Sequence, residues 1–334
     1  MKQRAHTWLA LRAIALLRDE GSQSHQWFVD LIEPYAKAAA VGAWIPDLQE
    51  SKKGSGNLDN HVLKMVPYLG DLKKKFVVKK EKLLEDLGSE RQVTALLRQD
   101  QSLDSAWWQT PYKADPSPGQ HLANRAMALT ITIKDLLILG NQQIQDYLPG
   151  KVSFIGDVDK NTLARQEEVA TFLFMLSHFI ADAGMPCHCD GRVLTNYKGK
   201  LHKQLEARWD KKIGTFFEKE DFLQSKLSAK DILAKVREVD AKFKMTFQPA
   251  IPDLDKDHDV WNEMMTIARG SFALSSVIVP PKKIPYDSDD LISLDEVFAA
   301  DKAPVSGEEF DRAVLHDAVL NIAMIWKHVA NAFN

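Results

Sequence analysis

The stretch that decides the fold is residues 162–183, TLARQEEVATFLFMLSHFIADA. Large apolar side chains surround its second half on every side of a helical turn, namely Phe172, Leu173, Met175, Leu176, Phe179 and Ile180. A helix that is apolar all round belongs in a protein core. The stretch therefore predicts a central buried helix, and it carries two polar side chains into that core, His178 and Asp182.

Helical periodicity recurs along most of the chain outside this stretch. It covers residues 8–17 (an amphipathic pattern), 25–43, 120–139, 200–219, 229–245, 261–277 and 307–333. The best strand candidate, residues 151–155, is short and isolated. These patterns predict an all-α protein.

Composition bounds the class of protein. The chain has 334 residues, of which 45% are hydrophobic and 27% charged, values typical of a folded globular protein rather than a disordered one. No uninterrupted apolar run reaches the roughly 18 residues of a membrane span. Residues 281–306 are predicted to be irregular, and the stretch after them is too short for a core of its own. We therefore expect a single multi-helix domain over residues 1–334.

Charge and cysteine usage limit partners and location. The net charge of −3 does not favour a basic nucleic-acid coat. The lysine-rich run at residues 73–82 is either a solvated face or linker, or a patch for anionic lipid or nucleic acid. Two cysteines form no disulfide framework, and Arg12 interrupts the short apolar run near the amino terminus. We expect no secretory signal and a cytoplasmic location; the alternative is an exported chain whose signal peptide has been removed.

Two histidine–carboxylate pairs point to a metal. His178 and Asp182 are four residues apart, so a helix places them on one face, and His202 and Glu206 repeat this spacing. A buried carboxylate beside an imidazole is costly unless a partner such as a metal ion satisfies both. Pro186 is expected to end the first helix and present His188 from a turn. A lone histidine of this kind is usually a core residue.

Two such pairs within 29 residues, with a histidine between them, favour metal binding over isolated core histidines. Nitrogen and oxygen ligands in this mixture suit Zn²⁺. Cys187 and Cys189 flank His188. They are interpreted as small buried residues, with a competing thiolate ligand as the alternative.

The order of these residues resembles zinc-dependent phospholipase C and the related single-strand-specific nucleases of fungi and plants. Nine positions match the ligand series of that family in order, all within residues 1–206: Met1, His6, Asp47, His61, His178, Asp182, His188, His202 and Glu206. The resemblance implies a helical protein with three zinc ions in a cleft.

The resemblance also implies a ligand set for each ion. One zinc would be bound by Asp47, His61, His178 and Asp182, and a second by His188, His202 and Glu206. The third would be bound by Met1, His6 and Asp182, so that Asp182 bridges two ions.

The activity that the resemblance implies is hydrolysis of a phosphodiester, with a metal-bound hydroxide attacking phosphorus. Asp47 is the candidate catalytic residue that orients or deprotonates the attacking group; the other reading is that it serves only as a ligand. The expected substrate is a phosphoester such as a phospholipid at a membrane surface. The alternatives are a nuclease or nucleotidase on the same zinc site, and a helical protein in which zinc has only a structural role.

Two departures from the family leave the substrate and its head group open. Leu48 and Leu58 occupy the positions of the aromatic residues that hold choline in the phospholipases. Val62 occupies the position of the aromatic residue that stacks on a base in the nucleases. The oligomeric state is also open.

Overall fold

A computed structural model describes residues 1–50, 61–63, 122–139, 158–190, 195–248, 250–254, 259–278, 294–299 and 305–332. Across these ranges the chain forms helices and turns but no strand, which confirms the all-α prediction for this part of the molecule. The strand candidate at 151–155, the basic run at 73–82 and Leu58 lie outside the described residues.

The helices follow one another closely along the chain. The α-helices are α1 (Gln3–Glu20), α2 (Gln23–Ile32), α3 (Ala36–Ala39), α4 (Ile45–Glu50), α5 (Leu122–Leu139), α6 (Val158–Ala183), α7 (Pro186–Cys189), α8 (Thr195–Ile213), α9 (Lys219–Gln224), α10 (Ala229–Lys242), α11 (Val260–Ile278), α12 (Leu294–Val297) and α13 (Gly307–Asn331). Short 3₁₀ helices lie at Glu33–Tyr35, Ala40–Ala43 and Thr215–Phe217.

Helix α6 lies at the centre of the described structure. It packs against α1, α2, α3, α5, α11 and α13 and against the 3₁₀ helix at Ala40–Ala43. Its aromatic and aliphatic side chains, among them Phe174, Leu176 and Ile180, are fully buried. The prediction of a central buried helix is confirmed.

Helix α1 is more deeply buried than its sequence indicates. The amphipathic pattern predicts one solvated face, yet every residue from Ala5 to Leu17 is buried. That prediction was wrong because α13, α10, α8 and α6 all pack around this helix. The polar side chains find partners inside: Arg12 Nε donates to Asp240 Oδ2 at 2.8 Å, and Trp8 Nε1 donates to the carbonyl oxygen of Val236 at 3.1 Å.

Three predicted segments differ from the observed ones for local reasons. The helix expected over 25–43 stops at Ile32, because Pro34 has no N–H to donate and crowds the preceding turn. Helix α8 ends at Ile213, before Gly214 with a φ of +100°, whereas the pattern extends to 219. In segment 281–306, the described residues 294–299 include the helical turn α12, whose Leu294 N–H donates to Gln204 Oε1 at 2.9 Å.

Across the described ranges, no helix combines the length and apolar character needed to span a membrane.

Candidate metal centre

Five helices and one short segment bring the nine predicted positions together. Helix α1 carries His6 close behind Met1, α4 carries Asp47, and α6 carries His178 and Asp182. Helix α7 carries His188, α8 carries His202 and Glu206, and His61 lies in the described stretch 61–63. Contacts of 3.6 Å or less connect all nine residues into one cluster.

The carboxylate of Asp182 is the centre of this cluster. Four imidazoles and the amine of Met1 surround its two oxygens, although the side chain is only 1% exposed. Oδ1 lies 3.1 Å from Met1 N, 3.5 Å from His6 Nε2 and 3.3 Å from His188 Nδ1, and Oδ2 lies 2.7 Å from His61 Nδ1 and 3.2 Å from His178 Nε2. A carboxylate with neighbours on both oxygens is suited to bridge two cations.

A backbone hydrogen bond orients the ring of His178. Its Nδ1 lies 2.8 Å from the carbonyl oxygen of Ala43, which can only accept, so Nδ1 carries the proton. The lone pair of Nε2 therefore faces the cluster, 3.1 Å from His61 Nδ1 and 3.6 Å from Asp47 Oδ1. A histidine that ligates a metal is commonly held by this kind of second hydrogen bond.

A second group of donors is formed by α7 and α8. His188 Nε2 lies 3.0 Å from His202 Nε2, which in turn lies 2.9 Å from Glu206 Oε1. His202 and Glu206 share a helix face, as their spacing predicts. His188 was expected in a turn, but Pro186 instead starts the four-residue helix α7, where its missing N–H costs nothing.

His6 is a buried imidazole that lacks hydrogen bonds. In the described part of the chain, neither of its ring nitrogens has a hydrogen-bond partner, and its ring stacks on that of His178 with centroids 3.7 Å apart. Leaving such a group unsatisfied costs about 1–3 kcal/mol. A cation between His6 and Asp182 would supply the missing partner, so the donor set fits a metal ion.

The pKa values of the Met1 amine, Asp182 and Glu206 favour the binding of cations at this cluster. Burial lowers the pKa of the Met1 amine, but the charges of Asp182, Glu206 and Asp47 outweigh burial and raise it to about 11. Burial raises the pKa of Asp182, yet the amine, His188 and His178 bring it well below its usual value. Burial also raises the pKa of Glu206, but the Met1 amine and His202 outweigh burial and lower it to about 2. Both carboxylates are thus ionised at neutral pH.

The pKa shifts of His6 and Asp47 favour the neutral forms of these side chains, unlike those of Asp182 and Glu206. Burial, followed by the charges of His178 and the Met1 amine, places the pKa of His6 well below its usual value. His6 is therefore a neutral donor, the form that binds a metal. Burial raises the pKa of Asp47, although His178 opposes this shift.

Three groups of donors can each hold a metal ion, since their ligand atoms lie within 4.8 Å of one another. They are Asp47, His61 and His178; His188, His202 and Glu206; and His6, His178 and Asp182. The first contains three of the four ligands that the family resemblance implies for one zinc, without Asp182, and the second contains all three ligands implied for another. In the third, His178 joins His6 and Asp182, where the resemblance implies Met1.

Two residues of the cluster are accessible to solvent. The side chain of Asp47 is 39% exposed and that of His202 is 29% exposed, while His178 and Asp182 are fully enclosed. A ligand from solution can therefore approach Asp47 and His202, but it cannot reach Asp182. Among the described residues, neither cysteine belongs to a donor group; both are buried, and Cys189 Sγ donates to the carbonyl oxygen of Ala183 at 3.1 Å.

Sequence reasoning missed the residues that support these ligands. The carbonyl of Ala43 orients His178, and the indole of Trp44 donates to Thr7 Oγ1 at 2.6 Å beside the cluster. A backbone carbonyl has no sequence signature, so no motif could have identified Ala43. Comparison of the chain with protein-family models, curated proteins and solved structures found no match.

Proposed function

We propose that the protein is a zinc-dependent phosphodiester hydrolase of the phospholipase C type. The observation that carries this proposal is the position of Asp182, a fully buried carboxylate surrounded by four imidazoles and an amine. An ordinary ion pair does not need so many donors around one carboxylate. A cluster of cations bound by Asp182 and its neighbours accounts for all of them.

The donor chemistry supports zinc as the metal. The cluster combines five imidazoles with the carboxylates of Asp47, Asp182 and Glu206, and this nitrogen–oxygen mixture suits Zn²⁺. Calcium and magnesium prefer sites made of oxygen ligands alone. The hydrogen bond from His178 to Ala43 supplies the outer support that metal-binding histidines usually have.

We assign three ions to the donors. The first would be held by Asp47, His61, His178 and Asp182, and the second by His188, His202 and Glu206. The third would be held by His6 and Asp182 together with the amine of Met1, where that amine is free. Three Zn²⁺ and three carboxylates leave a local charge of about +3, which attracts a phosphate anion.

Asp47 is the proposed catalytic residue. Bound zinc would lower the pKa of a coordinated water molecule and would neutralise the charge that develops on the phosphate. Asp47 is the carboxylate of the cluster most open to solvent, so a water molecule can approach it and pass a proton to it. We propose that Asp47 orients the attacking water and takes its proton, while the enclosed Asp182 serves only to hold metal.

The proposed substrate class is phosphodiesters, with a phospholipid as the first candidate and a nucleic acid as the alternative on the same centre. Leu48 follows Asp47 in the chain and is 52% exposed, so an apolar side chain is open to solvent next to the accessible carboxylate in sequence. An exposed apolar side chain adjoining the proposed catalytic carboxylate suits a substrate that joins a phosphodiester to an apolar group.

The test combines metal analysis with turnover. The purified protein is analysed for zinc and incubated with bis(p-nitrophenyl) phosphate, phosphatidylcholine vesicles and single-stranded DNA, each with and without a chelator. We expect the protein to contain zinc and to hydrolyse substrate in a reaction that the chelator inhibits. Preference for the phosphatidylcholine vesicles would indicate a phospholipase, and preference for single-stranded DNA would indicate a nuclease.

Asp47→Asn is the decisive variant because it preserves the shape of the side chain but removes the proton acceptor. We expect a loss of at least about 100-fold in kcat. Asp135→Asn, on the exposed face of α5, is the matched control and should be fully active. Zinc-bound protein that hydrolyses none of the three substrates would instead indicate a structural role for the metal.

A further inference from the structure

The segment Gly42–Trp44 touches the metal centre without contributing a ligand side chain. We propose that Thr7 is a positioning residue of this centre: by accepting the indole hydrogen bond of Trp44, it holds the segment that orients His178 and Asp47 for metal binding. This inference rests on the metal centre of the proposed function. Three consecutive contacts of the segment support it.

Gly42 allows the segment to press directly on α6. A Cβ atom at this position would lie 2.2 Å from the carbonyl oxygen of Thr171 and 3.0 Å from Cβ of Phe174. Any larger residue would therefore push the backbone away from the helix that carries His178. The distance between the segment and α6 is set by contact of the two backbones.

Ala43 uses this close approach to orient a ligand. Its carbonyl oxygen accepts the hydrogen bond from Nδ1 of His178 at 2.8 Å, and both residues are fully buried. A shift of the segment that lengthened this bond beyond about 3.2 Å would weaken the hydrogen bond and free the ring to rotate. The Nε2 lone pair would then no longer be held toward Asp47 and His61.

A hydrogen bond of the Trp44 side chain joins the segment to α1. Its Nε1 donates to Thr7 Oγ1 at 2.6 Å, and the hydroxyl of Thr7 donates onward to the carbonyl oxygen of Gln3 at 3.0 Å. Thr7 is 0% exposed and Trp44 2%. A buried indole N–H without an acceptor is costly, so the bond strongly favours one position of the segment.

The position of this bond in the chain links it to the ligands. Thr7 directly follows His6, and Trp44 precedes Asp47 by three residues, with Leu48 N donating to the carbonyl oxygen of Trp44 at 3.0 Å as α4 begins. The hydroxyl of Thr7 therefore links α1, which carries His6, to the start of α4, which carries Asp47. Its removal should disturb the metal centre more than the core around it.

The experiment compares Thr7→Val with two matched variants. Thr7→Val keeps the shape and removes the hydroxyl, whereas Thr7→Ser keeps the hydroxyl. Thr130→Val is the control, because the buried hydroxyl of Thr130 also donates to the carbonyl four residues earlier, that of Ala126 at 2.9 Å, on a different helix. Zinc affinity is measured by competition with a chromophoric chelator, and the ligand field by the visible spectrum of the Co²⁺ form.

We expect Thr7→Val to weaken binding of at least one zinc about tenfold or more and to change the Co²⁺ spectrum, as loss of a supporting contact does. Thr7→Ser and Thr130→Val should stay within about twofold of the wild type. Unchanged zinc affinity in folded Thr7→Val, or an equal loss in Thr130→Val, would overturn the proposal.

Trp44→Phe tests the same bond from its other end and decides the matter if Thr7→Val does not fold. It should weaken zinc binding to a similar degree, and the double variant should bind no more weakly than either single variant, because both remove one interaction. Additive losses would show that the two residues act independently. A wild-type protein that binds no zinc would contradict the proposed function itself, which keeps the two failures distinct.

Discussion

The imidazoles of His6 and His178 stack with their ring centroids 3.7 Å apart and their planes inclined by 17°, although 172 positions separate them in the chain. Helix α1 presents one ring and α6 the other, so the stack exists only because these two helices pack together. His178 is anchored by Ala43, whereas both nitrogens of His6 lack hydrogen-bond partners among the described residues. The pair thus combines a ring that a backbone hydrogen bond orients with a ring whose nitrogens have no hydrogen-bond partner in the described ranges.

His6→Phe should separate metal binding from folding. Phenylalanine retains the stacking on His178 but has no nitrogen to leave unsatisfied, so we expect the metal-free protein to gain about 1 kcal/mol or more in unfolding free energy. The same variant should bind one zinc fewer. Urea denaturation in the presence of a chelator measures the first effect, and metal analysis after dialysis measures the second.

The control for that variant is His25→Phe. His25 is also buried, but its ring nitrogens pair with Ser22 and Asn331, so its replacement should destabilise the protein and leave zinc content unchanged. If His6→Phe retained the zinc content of the wild type, His6 would not be a ligand.

His202→Ala should remove the second donor group selectively. His202 contacts both His188 and Glu206, so its loss leaves that zinc with two protein ligands. We expect one zinc fewer per chain and little change in the thermal stability of the metal-free form, because the side chain is partly exposed. His316→Ala, at a half-buried histidine bonded to the carbonyl oxygen of Thr246, serves as the control. Equal zinc content in the two variants would contradict the assignment.

Zinc binding should release a proton from the amine of Met1 in protein that starts at this residue. The amine has a pKa of about 11 without metal, so it is protonated at pH 7–9 and must lose the proton to ligate zinc. Affinity for that ion should therefore rise by up to about tenfold per pH unit in this range. Calorimetry in buffers of different ionisation enthalpy measures the released protons.

An extension of Gly-Ser before Met1 is the matched variant, since it moves the amine away from Asp182 and Glu206. It should bind one zinc fewer and lose the corresponding proton release. Identical proton release with and without the extension would show that the amine is not a ligand.

Chelation should destabilise the folded protein by mass action. Zinc bound only to the native state stabilises it by about 4 kcal/mol when free zinc exceeds the dissociation constant a thousandfold. We expect a chelator to lower the Tm by several degrees, and added zinc to restore it. A chelator already saturated with zinc is the control. A Tm that is insensitive to chelation would argue against a metal centre built into the native fold.

Local patterns predicted the parts of this protein that depend on helical geometry. The apolar stretch ending at Ala183 predicted the central helix, and the four-residue spacings of His178 with Asp182 and of His202 with Glu206 predicted shared faces. The same patterns failed for α1, where a sequence with polar positions such as Arg12 is buried on all sides. The burial of a segment depends on how many other helices pack around it. The sequence of the segment alone does not indicate how many do.

What the sequence alone determined is therefore the helical fold class and the identity and pairing of donor residues one turn apart, because the pitch of a helix dictates those distances. Only the tertiary structure decided that His6 stacks on His178, that Asp182 has neighbours on both oxygens, and that Ala43 orients a ligand ring. Apart from the contacts of Asp182 with His178 and His188, these contacts join residues more than 100 positions apart. They depend on the packing of α1, α4 and α7 against α6, including the close backbone approach at Gly42.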